Sequence, residues 1–142
     1  ALILVPALAQ GVRTGITPGE MEALLKAGSS RYERVEEGGR VYFHLRLAGL
    51  RAVLFLQDCR EGSCESLLLY AGFSTDNPPS LERVNEWNRE KRFSRANLDE
   101  EGDPVLEADL DLAGGVADGA IRAFLDLFEE NLRAFAAWIG WE

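Results

Sequence analysis

Residues 84–115, VNEWNREKRFSRANLDEEGDPVLEADLDLAGG, contain the change from helix to strand on which the class of this chain depends. The stretch predicts a helix that ends in basic residues near Arg92, followed by two strands joined by a turn at Glu101-Gly102-Asp103. We expect Gly102 at the centre of that turn. This register would pair Ala96 with Ala108, Leu98 with Leu106, Arg95 with Asp109 and Asn97 with Glu107.

The remaining elements follow from turn and capping residues on either side. Thr17-Pro18-Gly19-Glu20 predicts a helix with a capping box, and Ser80 predicts the cap of a second helix. Between them, turn residues separate four strands, and a long apolar stripe predicts a last helix over about residues 118–139. The strands near 52–56 and 66–73 are apolar at successive positions, which predicts burial on both faces. The order α-β-β-β-β-α-β-β-α predicts an α+β domain with an antiparallel sheet and flanking helices.

Several short motifs together carry a resemblance to a known family: Asn85-Glu86-Trp87-Asn88, Arg92-Phe93, Leu98-Asp99, Gly102-Asp103-Pro104 and the acidic strand that ends at Gly114-Gly115. Through these motifs the chain resembles the YbjN family of bacterial sensory-transduction regulators over roughly residues 17–139. The resemblance implies a fold like that of type III secretion chaperones, which act as dimers on extended segments of other proteins. It therefore implies a homodimer and a protein or peptide partner.

The first nine residues, ALILVPALA, are uncharged and mostly apolar. We interpret residues 1–9 as the remnant of a secretory signal cleaved between Ala9 and Gln10, which predicts a periplasmic or secreted protein. An apolar first strand or the start of a buried helix is the alternative. The run is shorter than the roughly 20 apolar residues of a membrane span. We expect residues 10–16 to be a flexible N-terminus and residues 17–142 to be a single domain.

The two cysteines, Cys59 and Cys64, flank the turn residues Glu61-Gly62-Ser63. In an exported chain, this even count predicts a disulfide that closes a hairpin. Free thiols, or metal or redox chemistry, are the alternatives. Zinc would need further cysteine or histidine ligands, and the chain has a single histidine, His44.

Charge and composition exclude some partners. The 142 residues include 24 acidic and 15 basic side chains, for a net charge of −9. Such a surface repels nucleic acid and favours a cationic partner, although it also serves to keep a protein soluble. The sequence predicts no cofactor.

Carboxylates at alternate positions, Glu107, Asp109 and Asp111, lie on one face of the predicted last strand. With the acids of the turn at 99–103, they allow three interpretations: a calcium site in a ligand-responsive hairpin over residues 99–111, a docking face for a cationic partner, or a solvated face paired with Arg95. The acids lack the loop spacing of a helix–loop–helix calcium site, and we predict no metal.

Trp87, Asn85 and Asn88 also allow two interpretations. They either pack the second helix onto the sheet or form a partner surface. His44 likewise allows two interpretations, a surface histidine or a general base. No nucleophile in a motif context accompanies His44, so we expect a binding protein and no enzyme, with a hydrolase as the weaker alternative. The predicted partner-binding residues are Trp87, Asn85, Asn88, Arg92, Phe93, Glu107, Asp109 and Asp111.

Overall fold

The computed structural model describes residues 11–141, which form three helices and six strands. The α+β class and the predicted order of elements are confirmed. The predicted signal remnant 1–9 and its cleavage site between Ala9 and Gln10 lie outside the described residues. The elements are α1 (Pro18–Ala27), β1 (Arg31–Glu37), β2 (Arg40–Leu47), β3 (Leu50–Arg60), β4 (Ser63–Gly72), α2 (Leu81–Glu90), β5 (Arg95–Leu98), β6 (Pro104–Asp111) and α3 (Asp118–Trp138).

The strands form one antiparallel sheet in the order β1-β2-β3-β4-β6-β5. Two-residue turns at Gly38-Gly39, Ala48-Gly49 and Glu61-Gly62 join the first four strands. Every residue of these turns has a positive φ, which matches the right-handed twist of the strands that it joins. Glycine occupies most of these positions because it adopts positive φ without steric cost.

Side chains cap the first two helices as predicted. Glu20 N donates to Thr17 Oγ1 at 3.1 Å, and Thr17 N donates to Glu20 Oε1 at 2.9 Å, so the capping box is complete. At α2, Arg83 N donates to Ser80 Oγ at 3.2 Å. Each contact satisfies backbone donors that a helix leaves unpaired at its N-terminus.

One face of the sheet carries the hydrophobic core. Met21 of α1, Trp87 of α2 and Phe135 of α3 are all buried there, and the Trp87 and Phe135 ring centroids are 5.0 Å apart. The buried side chains of the three helices thus lie against the same side of the sheet. The strands contribute Phe43, Leu45, Leu47, Ala52, Leu54, Leu56, Leu67, Leu69, Ala71, Ala96, Leu106 and Ala108 to this core.

Part of the segment 10–16, for which we expected flexibility, is held against the domain. Arg13 exchanges backbone hydrogen bonds of 2.7 and 2.9 Å with Val116, and Ile16 exchanges bonds of 2.9 and 2.8 Å with Cys64. The Ile16 side chain is fully buried. Residues 13–16 therefore add backbone pairing and core packing to the domain.

The predicted register of the β5–β6 hairpin is wrong by two residues. Ala96 pairs with Leu106 and Arg95 with Glu107, because Asp99 and Asp103 close the turn and Gly102 is its last loop residue. A two-residue shift keeps every side chain on its predicted face. The apolar residues still meet on the core side. The remaining pairs are Asn97 with Val105 and Leu98 with Pro104.

The prediction that the apolar strands are buried on both faces is also wrong. In β3, residues 52, 54 and 56 are buried in the core, whereas Val53 and Phe55 point to the opposite side and are partly exposed. Within residues 11–141, no helix contributes core side chains to that second side. We call it the open face.

Candidate functional site

The centre of the open face carries apolar and aromatic side chains that pack against one another. The Phe55 ring lies between those of Tyr42 and Tyr70, with centroid separations of 5.6 and 6.5 Å. Tyr42 also packs edge-on against His44 at 5.5 Å. This mutual packing explains why the side chains are only partly exposed. We call Val35, Tyr42, His44, Val53, Phe55, Leu68 and Tyr70 the aromatic patch.

A depression of about 610 Å³ lies over the aromatic patch near the β1–β2 turn. Tyr42, His44, Val53 and Phe55 line it, and it opens to solvent along the sheet. Sites for small molecules usually enclose most of the ligand surface. This open depression lacks the enclosure that is usual for a small-molecule site.

The pKa values of both patch tyrosines are raised above the ordinary value for tyrosine. Tyr42 donates to Glu37 Oε2 at 2.9 Å, and this hydrogen bond, followed by burial, raises the pKa of Tyr42. Burial, followed by the negative charge of Asp99, raises the pKa of Tyr70. At neutral pH, the surface formed by the two tyrosines is therefore uncharged.

The predicted acidic residues of β6 lie on the same face, beside the patch, and have partners within the chain. Arg95 forms ion pairs with Asp109 and, at 3.5 Å, with Glu107. Asn97 Nδ2 donates to Glu107 Oε1 at 2.8 Å, and Asp111 Oδ1 accepts from Ala113 N at 2.9 Å. Hydrogen bonding to Asp109 is the largest cause of a raised Arg95 pKa. The cross-strand pairing with Arg95 is thus present, despite the shifted register.

The acidic turn uses its carboxylates to shape the hairpin. Asp99 Oδ1 accepts from the backbone N of Glu101 and of Asp103, both at 2.9 Å. Asp103 Oδ1 accepts from Thr75 N at 3.3 Å. Among residues 11–141, no three His, Cys, Asp or Glu side chains are grouped so that they could hold a metal ion.

The predicted residues of α2 lie on the other side of the sheet. Trp87 is fully buried, with ring centroids 5.0 Å from Phe135 and 5.8 Å from Trp138, so it packs the helix onto the core. Asn88 bonds the backbone of Ala96, accepting from N at 2.7 Å and donating to O at 3.0 Å. Asn85 is exposed. Structural contacts therefore account for Trp87 and Asn88.

Comparison with known families gives a match over nearly the whole chain. Residues 17–141 match the family model YbjN, described as "Putative bacterial sensory transduction regulator". The chain belongs to the YbjN family. No curated protein matches it. The family match covers all three helices and all six strands, including the whole open face of this YbjN domain.

The predicted disulfide of the YbjN domain is confirmed. Cys59 and Cys64 face each other across the β3–β4 hairpin, with an S–S distance of 2.04 Å. Cys64 is buried, whereas Cys59 is exposed at the edge of the hairpin.

Within the described residues, no helix is both long and apolar enough to cross a membrane.

The eight predicted partner-binding residues do not form one surface of the YbjN domain. Glu107 and Asp109 lie on the open face, whereas Trp87 lies in the core behind the sheet. Arg92 and Phe93 form an exposed pair after α2, with the guanidinium 4.6 Å from the ring centroid. Sequence reasoning did not identify the aromatic patch. Residues 41–47 alternate in the sequence so that Tyr42, His44 and Arg46 fall on one face of a strand, and that signal could have located part of the patch.

Proposed function

We propose that this chain is a non-enzymatic regulatory domain that binds a segment of another protein on its open face. The aromatic patch is the observation that carries the proposal. Its residues are each partly exposed and lie next to one another on the sheet. Contiguous apolar surface that reaches solvent is a common mark of an interaction site, and aromatic residues are enriched at protein interfaces. The patch lies on rigid strands, so its side chains are positioned before a partner binds.

The face is a better docking surface than the edges of the sheet. Among the described residues, β1 and β5 are the outermost strands. Five of the seven residues of β1 are charged, RYERVEE, and β5 has only four residues. Charged or very short edge strands disfavour the addition of another strand. A partner is therefore expected to lie across the side chains of the open face.

An exported, periplasmic or secreted location forms part of the proposal. The Cys59–Cys64 disulfide supports it, because such bonds persist mainly in oxidising compartments. The uncharged, mostly apolar composition of residues 1–9 also supports it, because such runs occur in secretory signals. A binding role is favoured over catalysis because the carboxylates Glu107 and Asp109 of the open face are already paired with Arg95.

Site-specific photo-crosslinking tests the proposal. A photoreactive phenylalanine analogue would replace Phe55 on the open face in one variant and Phe93 after α2 in another. Both side chains are phenylalanines with exposed surface, so Phe93 is a matched control. We expect a protein partner to be crosslinked from position 55 and not from position 93.

The partner would then be purified and titrated against Phe55→Ser and Phe93→Ser variants. We expect Phe55→Ser to weaken binding at least tenfold and Phe93→Ser to leave it unchanged. Equal binding by both variants would refute the open-face site. Crosslinking of position 55 to a second copy, with a dimer mass in solution that Phe55→Ser abolishes, would refute a different protein as the occupant.

A further inference from the structure

Three arginines lie side by side at one end of the open face. Arg31 of β1 is directly opposite Arg46 of β2, and Arg46 is directly opposite Arg51 of β3. All three side chains are exposed. We call them the arginine row. They line a second depression, of about 410 Å³, together with Glu33 and His44.

The arginine row is unfavourable for the isolated domain. Like charges directly opposite each other on neighbouring strands destabilise a sheet. In a chain with 24 acidic and 15 basic residues, carboxylates are abundant enough to pair such arginines. Within residues 11–141, however, no carboxylate oxygen lies within 4.0 Å of an arginine-row guanidinium nitrogen. Arg46 reaches only the Gly49 carbonyl, at 3.5 Å.

The nearby carboxylates of α3 are engaged elsewhere. Asp126 and Glu129 line a depression that Arg31 and Arg46 also border. Asp126 pairs with Arg122 at 3.4 Å, and Glu129 Oε2 accepts from Ala48 N at 2.6 Å. Glu33, the carboxylate that lines the arginine depression itself, also lies more than 4.0 Å from every arginine-row guanidinium nitrogen. The domain therefore leaves the arginine row open to carboxylates supplied from outside.

We propose that the arginine row is a carboxylate-binding subsite that recognises aspartate or glutamate side chains in the bound segment. Guanidinium groups hold carboxylates through paired, charge-assisted hydrogen bonds. His44 lines the arginine depression and also belongs to the aromatic patch, so the two surfaces are continuous. The expected partner segment carries acidic side chains next to apolar ones, whereas the net charge of the whole chain had favoured a cationic partner. This inference rests on the proposed function, since it specifies the chemistry of the segment that the open face binds.

A random peptide display library, selected on the immobilised 142-residue chain, tests the subsite without a known partner. The test variant combines Arg31→Gln, Arg46→Gln and Arg51→Gln. The matched control combines Arg60→Gln, Arg89→Gln and Arg133→Gln, which change the net charge equally at exposed positions outside the row. A Phe55→Ser variant reports separately on the aromatic patch.

We expect the wild type and the matched control to select peptides enriched in Asp and Glu beside apolar residues. The arginine-row variant should lose the acidic enrichment and keep the apolar one. An exposed ion pair changes affinity by roughly two- to fivefold. The arginine-row variant removes three arginines at once, so a selected acidic peptide should bind it about tenfold more weakly or worse. The melting temperature of this variant should be unchanged or higher, because like-charge repulsion is removed.

The outcomes separate the two proposals. If the Phe55→Ser variant selects the same peptides as the wild type, or no peptide is enriched, the open-face function fails and the subsite fails with it. If selection depends on Phe55 but shows no acidic enrichment, or the arginine-row variant keeps that enrichment, only the carboxylate subsite is refuted. A large drop in melting temperature would show that the arginines are structural and would also overturn it.

Discussion

Two phenylalanines on neighbouring strands test whether the open face is uncovered in the folded chain. Phe43 on β2 points into the core and is fully buried, whereas Phe55 on β3 points to the open face and is partly exposed. Truncating a buried phenylalanine to alanine costs about 3–5 kcal/mol. Phe55 makes two aromatic contacts but has little packing above it, so we expect Phe55→Ala to cost about 1–2 kcal/mol.

Urea unfolding at 25 °C, followed by tryptophan fluorescence, measures both changes because Trp87 lies in the core. The free energy of unfolding of Phe43→Ala should be at least about 1 kcal/mol below that of Phe55→Ala. If Phe43→Ala is too unstable to fold, the pair Phe43→Leu and Phe55→Leu gives the same comparison at smaller cost. Equal losses at the two positions would mean that the second face is covered as tightly as the core, and the open-face reasoning would be wrong.

Two further predictions concern the disulfide and the first helix. Reduction of the Cys59–Cys64 bond, which joins residues five apart, should lower the free energy of unfolding by about 2 kcal/mol. A Cys59→Ala, Cys64→Ala variant should be equally destabilised and insensitive to reductant, whereas no effect of reductant on the wild type would contradict this. At α1, hydrogen bonding by the Thr17 backbone N–H, then by its side chain and Arg13, lowers the pKa of Glu20 from its ordinary value of 4.5. A lowered carboxyl pKa stabilises the fold above pH 4.5, and the stabilisation is lost as pH falls through the folded pKa. The advantage of wild type over Glu20→Gln, about 0.5 kcal/mol at pH 6 after solvent screening, should shrink by pH 3, and an unchanged difference would contradict it.

Local chemistry explains why the order of elements could be predicted. The capping box at Thr17 and Glu20 uses only contacts three residues apart, and the Gly38-Gly39 turn is specified by the conformational freedom of its own residues. The paired cysteines likewise lie within one hairpin. Features of this kind depend little on the rest of the fold, so the sequence is sufficient to predict them.

The hairpin register shows where local chemistry is insufficient. Hydrophobic alternation assigns each residue to a face, and it is satisfied equally well by registers that differ by two residues. Asp99 fixes the observed register, because its carboxylate accepts hydrogen bonds from two backbone N–H groups of the turn. Predicting those bonds would have required knowledge of the turn geometry, which the position of Gly102 alone does not supply.

The partners of Trp87 and Asn88 depend on tertiary packing, so the sequence left two interpretations open. A tryptophan on a helix can face either a core or a partner. Its burial here depends on the position of α3, whose Phe135 and Trp138 surround the ring. Asn88 meets Ala96 only because the chain after α2 returns along the edge of the sheet.

The open face combines two features that each disfavour the isolated domain. The aromatic patch exposes apolar surface to water, and the arginine row places like charges opposite one another without carboxylate partners in the described residues. His44 lies at the junction of the two. A single bound segment with apolar and acidic side chains would relieve both costs at once. A covering element that is only apolar would bury the patch but leave the arginines unpaired. The adjacency of patch and row therefore favours one partner of mixed character over separate roles for the two surfaces.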